Sequence, residues 1–245
     1  MLFMKNKVKL FYTVAELRKT LPLDQHIHTK QTDGQNSLEE IIKIAKKNKF
    51  FRIAFTEHVQ RRSNWYKKFS DQVLKQAKKN IGQLEIILGL EAKQINNIGE
   101  IDCTAEQKSL AKIVIGSVHG YLKKNECDFY EFNQLYNETA LKKELKQTLC
   151  LIKNAKKNGI NVLGHPFGVY IKNYRKDVPL AYWQKVIKET IKEKIAFELN
   201  YKYHKKYFST ILFLAEKYGA KLNLGSDVHD LKDLGAAYKK IKKLL

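Results

Sequence analysis

The stretch Pro22-Leu23-Asp24-Gln25-His26-Ile27-His28 decides how the rest of the chain is read. Apolar Leu23 and Ile27 bracket a short run after a proline that ends the preceding helical pattern, which starts at a Thr13 cap and runs to Lys19. The run is the length of a strand. Residues i and i+2 of a strand share a face, so His26 and His28 point the same way. Ser37 then caps a helix, with Glu40 three residues on completing a capping box, and Leu38, Ile41, Ile42 and Ala45 recur at helical spacing. A strand followed by an amphipathic helix is one βα unit, and the same rhythm continues outward from here.

Further strands are expected at Phe51–Thr56, Glu85–Leu90, Ile113–Val118, Ile160–Gly164, Ile195–Leu199 and Lys221–Gly225. Helices are expected at Phe69–Ile81, Glu131–Lys157 (closed by Gly159), Leu180–Lys194, Tyr207–Tyr218 and Gly235–Leu244. Strands alternating with helices predict an α/β fold with a mainly parallel sheet. The chain has 245 residues, only 3 Pro and 12 Gly, and no Ser/Gly/Pro-rich linker, so residues 1–245 are read as one domain.

Six of the seven histidines fall at or just past the C-terminal end of an expected strand. His26 and His28 close the first, and His58 follows the second. His119, His165 and His229 follow the fourth, fifth and seventh. All strand C-termini of a parallel sheet or barrel lie on one edge, where active sites are built. Glu91 and Asp227 join them at strand ends, and Asp33 lies in the loop after the first strand. Asp227 and His229 repeat the i, i+2 device of His26 and His28. Each residue alone has a structural explanation, such as a turn or a hydrogen bond. Gathered on one rim, nine imidazoles and carboxylates are costly to desolvate unless metal satisfies them. Mixed imidazole and carboxylate donors suit zinc, manganese or iron, and nine donors suit two or three divalent ions. Asp24, on the His26 face, is placed to orient a ligating imidazole. His204, in a Tyr/Lys-rich stretch, is read as a surface residue.

The motifs Asp24-Gln25-His26-Ile27-His28-Thr29, Thr32-Asp33-Gly34 and Ala54-Phe55-Thr56-Glu57-His58 resemble the opening of the PHP (polymerase and histidinol phosphatase) family. Gly89-Leu90-Glu91, Gly116-Ser117-Val118-His119, Gly164-His165-Pro166 and Gly225-Ser226-Asp227-Val228-His229 follow in the family's order. The resemblance spans Leu23 to Asp230. It implies a distorted TIM-like (β/α)7 barrel with its active site at the strand C-termini and a centre of up to three ions. By that resemblance His26, His28, Glu91 and Asp227 gather one ion. Glu91 bridges to a second held by His119 and His165, and Asp33, His58 and His229 hold the third. It further implies hydrolysis of a phosphomonoester by a metal-bridging hydroxide, as in a small-molecule phosphatase of the histidinol-phosphatase-like kind, with His26, His28, Glu91, His119 and Asp227 as the catalytic set.

The expected partner is a small phosphorylated substrate. Arg61 and Arg62, just past His58, form the first candidate phosphate-binding loop, with Trp65 or Tyr66 as a stacking wall. Lys93 and Arg175 are further substrate-binding candidates. The net charge of +21 raises a nucleic-acid partner as the alternative, with a nuclease or nucleotide phosphoesterase activity. However, only five of the 46 basic residues are Arg, and the lysines recur as pairs such as Lys46-Lys47 and Lys78-Lys79 on helical patterns. The charge is therefore read chiefly as solvated helix faces. A non-catalytic metal-binding regulatory module is the third reading, opposed by the complete donor set. No long apolar run predicts a membrane span, and Met1 to Leu23 lacks the apolar core of a signal peptide. Three cysteines without paired spacing (Cys103, Cys127 and Cys150) suggest reduced thiols in the cytoplasm.

Overall fold

Seven parallel strands form one sheet in sequential order, β1 (Leu23–Ile27), β2 (Arg52–His58), β3 (Glu85–Lys93), β4 (Ile113–Ser117), β5 (Val162–Gly164), β6 (Ala196–Asn200) and β7 (Leu222–Gly225). The computed structural model describes residues 9–123, 129–130 and 135–245. The sheet curls into a nearly closed (β/α)7 barrel. At the top, Ile27 of β1 bridges Val228 just after β7, through His28 N–H to Val228 O (2.9 Å) and Val228 N–H to His26 O (3.0 Å). At the bottom, Tyr12 pairs antiparallel with Leu222 and covers the open edge of β7.

Side-chain parity sorts the strands into two layers. Outward residues such as Leu23, Ile53, Phe55, Leu88, Leu90, Phe197, Leu199, Leu222 and Leu224 are buried under the helices. Inward residues Ala54, Ile87, Ile113, Ile115, Val162 and Ala196 fill the lower barrel, with Leu10 and Phe11 packed against them. Burying each such aliphatic side chain stabilises the fold by roughly 1.5–3 kcal/mol. Above this apolar plug the inward positions turn polar, which is what lifts the functional groups to the rim.

The helices that cover the barrel are α1 (Val14–Leu17), α2 (Leu38–Lys47), α3 (Tyr66–Lys79), α4 (Ala105–Leu110), α5 (Asn137–Lys153) and α6 (Ala155–Asn158). They are followed by α7 (Gly168–Tyr174), α8 (Leu180–Lys192), α9 (Tyr201–His204), α10 (Phe208–Tyr218) and α11 (Ala236–Lys242). The capping boxes of Thr13 with Glu16 and Ser37 with Glu40 form as the spacing predicts. The long helix expected from Glu131 is two helices that break at Asn154, whose side chain bonds Cys150 O (3.0 Å). Gly159, at φ 68°, ends the second. Residues 131–134 and Cys127 lie outside the described residues, as do residues 1–8 of the expected non-leader N-terminus. The short helices α4, α7 and α9 have too few turns to show a period. Among the described residues no helix is long and apolar enough to cross a membrane, and Cys103 and Cys150 are free thiols.

Candidate metal centre

Barrel closure brings the two i, i+2 pairs together. The bridge between Ile27 and Val228 sets His26 and His28 beside Asp227 and His229, with His28 Nε2 3.5 Å from Asp227 Oδ1. Asp227 takes a left-handed backbone, φ 55°, a conformation Asp tolerates better than most residues. On the other side of β1, Gly34 folds its loop against the backbone of His28, where a Cβ would meet His28 O at 2.5 Å. That turn carries Asp33 over the rim.

Glu91, at the end of β3, is the hub. Its Oε1 lies 2.8 Å from His165 Nε2 and 3.1 Å from His119 Nε2. Its Oε2 lies 2.9 Å from His58 Nδ1, 3.4 Å from His26 Nε2 and 3.7 Å from His28 Nε2. The donors fall into three groups, His26/His28/Asp227, Glu91/His119/His165 and His28/His58/His229, with ligand atoms within 4.8 Å of one another in each. Asp33 Oδ2 joins the last, 3.4 Å from His58 Nε2 and 3.2 Å from His229 Nε2.

Two features make these groups fit divalent ions. Ligands about 2.1 Å from a tetrahedral ion stand about 3.4 Å apart. The separations His26–Glu91, His28–Asp227 and His58–Asp33 span 3.4–3.5 Å, wide for hydrogen bonds. In addition, His26 Nε2 and both ring nitrogens of His28 are buried without a hydrogen-bond partner among the described residues. A buried imidazole nitrogen left unpaired destabilises the fold unless something coordinates it. Burial holds the His28 pKa down to about 3, which keeps the ring neutral and its lone pair available. Burial also opposes protonation of His58, but the carboxylates of Glu91 and Asp33 outweigh it and raise its pKa to about 10.

The residue that orients the donors is Glu198, on β6, which sequence reasoning missed. Its Oε1 accepts from His26 Nδ1 (2.5 Å), and its Oε2 accepts from the backbone N–H of His165 (2.7 Å). One buried carboxylate therefore ties together members of two donor groups and turns His26 Nε2 toward Glu91. Gly225 makes the room: a Cβ there would sit 2.3 Å from Glu198 Oε1 and 2.6 Å from His26 Cβ. The parity signal was present, because Ala196, Glu198 and Asn200 alternate with Phe197 and Leu199. Asp24 does not play the expected role. Its carboxylate takes the backbone N–H groups of Ser226 (2.9 Å) and Gly235 (2.8 Å), so it anchors the β7 loop rather than an imidazole.

A cleft of about 240 Å³ opens above the groups. Its walls are one face of α7, with Gly168, Val169, Lys172 and Asn173, and the start of α9, with Lys202 and Tyr203. Buried Glu144 of α5 holds α7 in place by accepting the backbone N–H groups of Tyr170 (2.7 Å) and Val169 (3.3 Å). Burial pushes the Glu144 carboxyl up to about 7. Tyr203 packs on His165 with ring centroids 4.9 Å apart, and Lys202 Nζ lies 3.4 Å from both Asp227 Oδ2 and His229 Nδ1.

The other expected substrate groups stand elsewhere. Arg61 pairs with Glu100 (3.2 Å), its N–H bonds Asp102, and Arg62 bonds Gln60 (2.7 Å). Both line side pockets rather than the cleft, and Lys93 shares one of them. Arg175 ends α7 with a left-handed backbone and does not line the cleft. Trp65 packs edge-on to Tyr66 and Phe69, and Tyr66 is core, its hydroxyl donating to Gly89 O (2.8 Å). His204 is also buried, not a surface residue. Its Nε2 donates to Pro166 O (2.9 Å) and its Nδ1 accepts from Asn200 N–H (3.2 Å), which ties β6 to the His165 turn.

A family model described as PHP domain matches residues 24–202. Among solved structures, the chain is similar to histidinol phosphate phosphatase (HisK) from Lactococcus lactis, complexed with Zn, L-histidinol and phosphate. The identity is 20%, the match covers 91% of this chain and 93% of that one, and the TM-score is 0.69. It is also similar to a structure from Listeria monocytogenes described as a histidinol phosphatase HisK, at 16% identity, 89% and 98% coverage and a TM-score of 0.71. A chain of archaeal ribonuclease P with mature tRNA matches at 14% identity, 90% and 87% coverage and a TM-score of 0.51. At these identities the likeness is one of fold. A search of curated proteins by sequence finds no match.

Proposed function

The chain belongs to the PHP domain family of metal-dependent phosphoesterases, and from that premise we propose that it hydrolyses small phosphomonoesters. The observation that carries the small-molecule reading is the cleft. Its volume of about 240 Å³ is below the usual range for drug-sized ligands, and α7 and α9 wall it. A nucleic-acid strand calls for a basic groove lined with stacking aromatics. The Arg61/Arg62 loop instead spends its hydrogen bonds on Glu100, Asp102 and Gln60.

In this reading His26, His28, Glu91 and Asp227 would hold one ion, Glu91 with His119 and His165 a second, and Asp33, His58 and His229 a third. Zinc, manganese and iron all suit these donors. Bound ions supply a water that deprotonates near neutral pH and a clamp on the phosphoryl oxygens. The protein's own part is orientation. Glu198 keeps the proton of His26 on Nδ1, and the Asp227 carbonyl accepts from His229 Nδ1 (2.9 Å), so both Nε2 atoms face the rim. A cytoplasmic location completes the reading, on the unpaired spacing of the cysteines.

The test is a hydrolysis panel with manganese- or zinc-loaded protein. It comprises histidinol phosphate, nucleoside monophosphates and 5′-labelled oligonucleotides. Phosphate release from at least one small monoester, abolished by chelation, is expected. Salt-sensitive oligonucleotide cleavage without release from any small ester would replace this reading with the nuclease one.

A further inference from the structure

The charge of the cleft wall constrains the organic half of the substrate. Among the described residues, the carboxylates lining the cleft are Glu91 and Asp227, which belong to the donor groups, and Asp33, which lies 3.4 Å from His58 Nε2 and 3.2 Å from His229 Nε2. The remaining charged side chains that line it, among the described residues, are Lys172 and Lys202. They come from different elements and face the same space. Lys172 lies one helical turn beyond Gly168 and Val169 on the face of α7 that lines the cleft. Lys202, in the first turn of α9, is 42% exposed and stands 3.4 Å from Asp227 Oδ2. Lys172 has no carboxylate partner among the described ion pairs.

We infer that the enzyme prefers phosphomonoesters whose leaving alcohol carries a second anionic group, a carboxylate or a phosphate, over esters of amino alcohols. The inference rests on the phosphomonoesterase reading and narrows it. Once its phosphoryl group sits over the donor groups, a substrate must direct its organic half along the cleft wall, past the two ammonium groups. A leaving group with its own ammonium, as in histidinol phosphate, meets like charge there and, among the described residues lining the cleft, finds no acidic side chain outside the donor groups to pair with. A carboxylate at the same place gains two ion pairs. Each half-exposed pair changes binding only a few-fold, but attraction in one case and repulsion in the other separate the two classes by roughly tenfold or more. The sequence signal was weak, because Tyr201-Lys202-Tyr203 reads as ordinary surface until α9 is seen to turn it over the rim.

The experiment uses full-length, metal-loaded protein and four esters. p-Nitrophenyl phosphate reports the chemistry itself. Phosphoglycolate, ethyl phosphate and phosphoethanolamine share a two-carbon leaving alcohol and differ in its charge. The expected order of kcat/KM is phosphoglycolate, then ethyl phosphate, then phosphoethanolamine. Lys202→Ala should flatten the order, and Lys172→Glu with Lys202→Glu should reverse it, with metal content per chain unchanged. If p-nitrophenyl phosphate is cleaved but the order is flat or inverted in the unaltered protein, the inference fails while the phosphatase reading stands. Lysine variants that slow all esters equally would also overturn it, since the lysines would then serve the phosphoryl group. If none of the four esters is cleaved, the inference falls together with the reading beneath it.

Discussion

Substituting Gly225→Ala disturbs the contact between Glu198 and His26 without removing any donor side chain. The added methyl would sit 2.3 Å from Glu198 Oε1 and 2.6 Å from His26 Cβ, both far inside contact distance. Glu198 and His26 are each 0% exposed, so neither can swing into solvent. One of them must shift, and the 2.5 Å bond between them is the contact in the way. Overpacking of this kind destabilises by about 1–3 kcal/mol. Losing the outer partner of a ligating imidazole typically weakens metal binding about 10–100-fold. Gly116→Ala serves as the control. Its Cβ would meet the Ile160 side chain at 2.8 Å, on the outer face of the barrel away from every donor. The assays are a competitive metal titration against a chromophoric chelator and a thermal melt of metal-free protein. Both variants should melt lower, and only Gly225→Ala should lose metal affinity. Wild-type affinity in Gly225→Ala, or an equal loss in Gly116→Ala, would refute the positioning role.

Three further outcomes are expected. His119→Ala removes one donor from the Glu91/His119/His165 group, so metal content measured by plasma mass spectrometry should fall by about one ion per chain. Arg61→Ala and Arg62→Ala should leave KM for small esters within about twofold and stability within about 0.5 kcal/mol, since both side chains are tied at an exposed site outside the cleft. His204 has its pKa held down to about 4 by burial, against about 6.5 unfolded. The unfolded chain therefore binds the extra proton first as pH falls. The stability is fully present above about 6.5 and is lost as pH drops through 4, about 2–3 kcal/mol between pH 7.5 and 4.5. Urea midpoints at the two pH values should show a shallower loss in His204→Gln, and equal loss in both proteins would contradict the assignment.

The strand-end histidines were legible because a parallel sheet turns sequence position into spatial position. A donor at the end of each strand has nowhere to go but the rim. Parity did the rest for His26 with His28 and for Asp227 with His229. Glu198 escaped notice because it sits below the rim, and a carboxylate inside a strand gives no local sign that its partner is 172 residues away. Lys202 was hidden by the shortness of α9, a single turn whose direction depends on the Asn200 cap (Oδ1 to Tyr203 N–H, 3.2 Å). Arg61 and Arg62 stand beside His58 in sequence, but adjacency does not aim a side chain. The acidic partners of Arg61, Glu100 and Asp102, come from the loop after β3, and Arg62 turns back to Gln60, pairings that only the fold reveals. His204 looked like surface from its lysine neighbours, while its i−4 relation to Asn200 draws it into the core.

The central claim is that separate donor groups on one barrel rim share several ions through Glu91. Anomalous scattering from crystals of metal-replete protein tests it most directly. The account predicts at least two ions per chain, each about 2.0–2.3 Å from the named imidazole nitrogens and carboxylate oxygens, with Glu91 between two of them. Fewer than one ion per chain, or ions bound away from these residues, would contradict it.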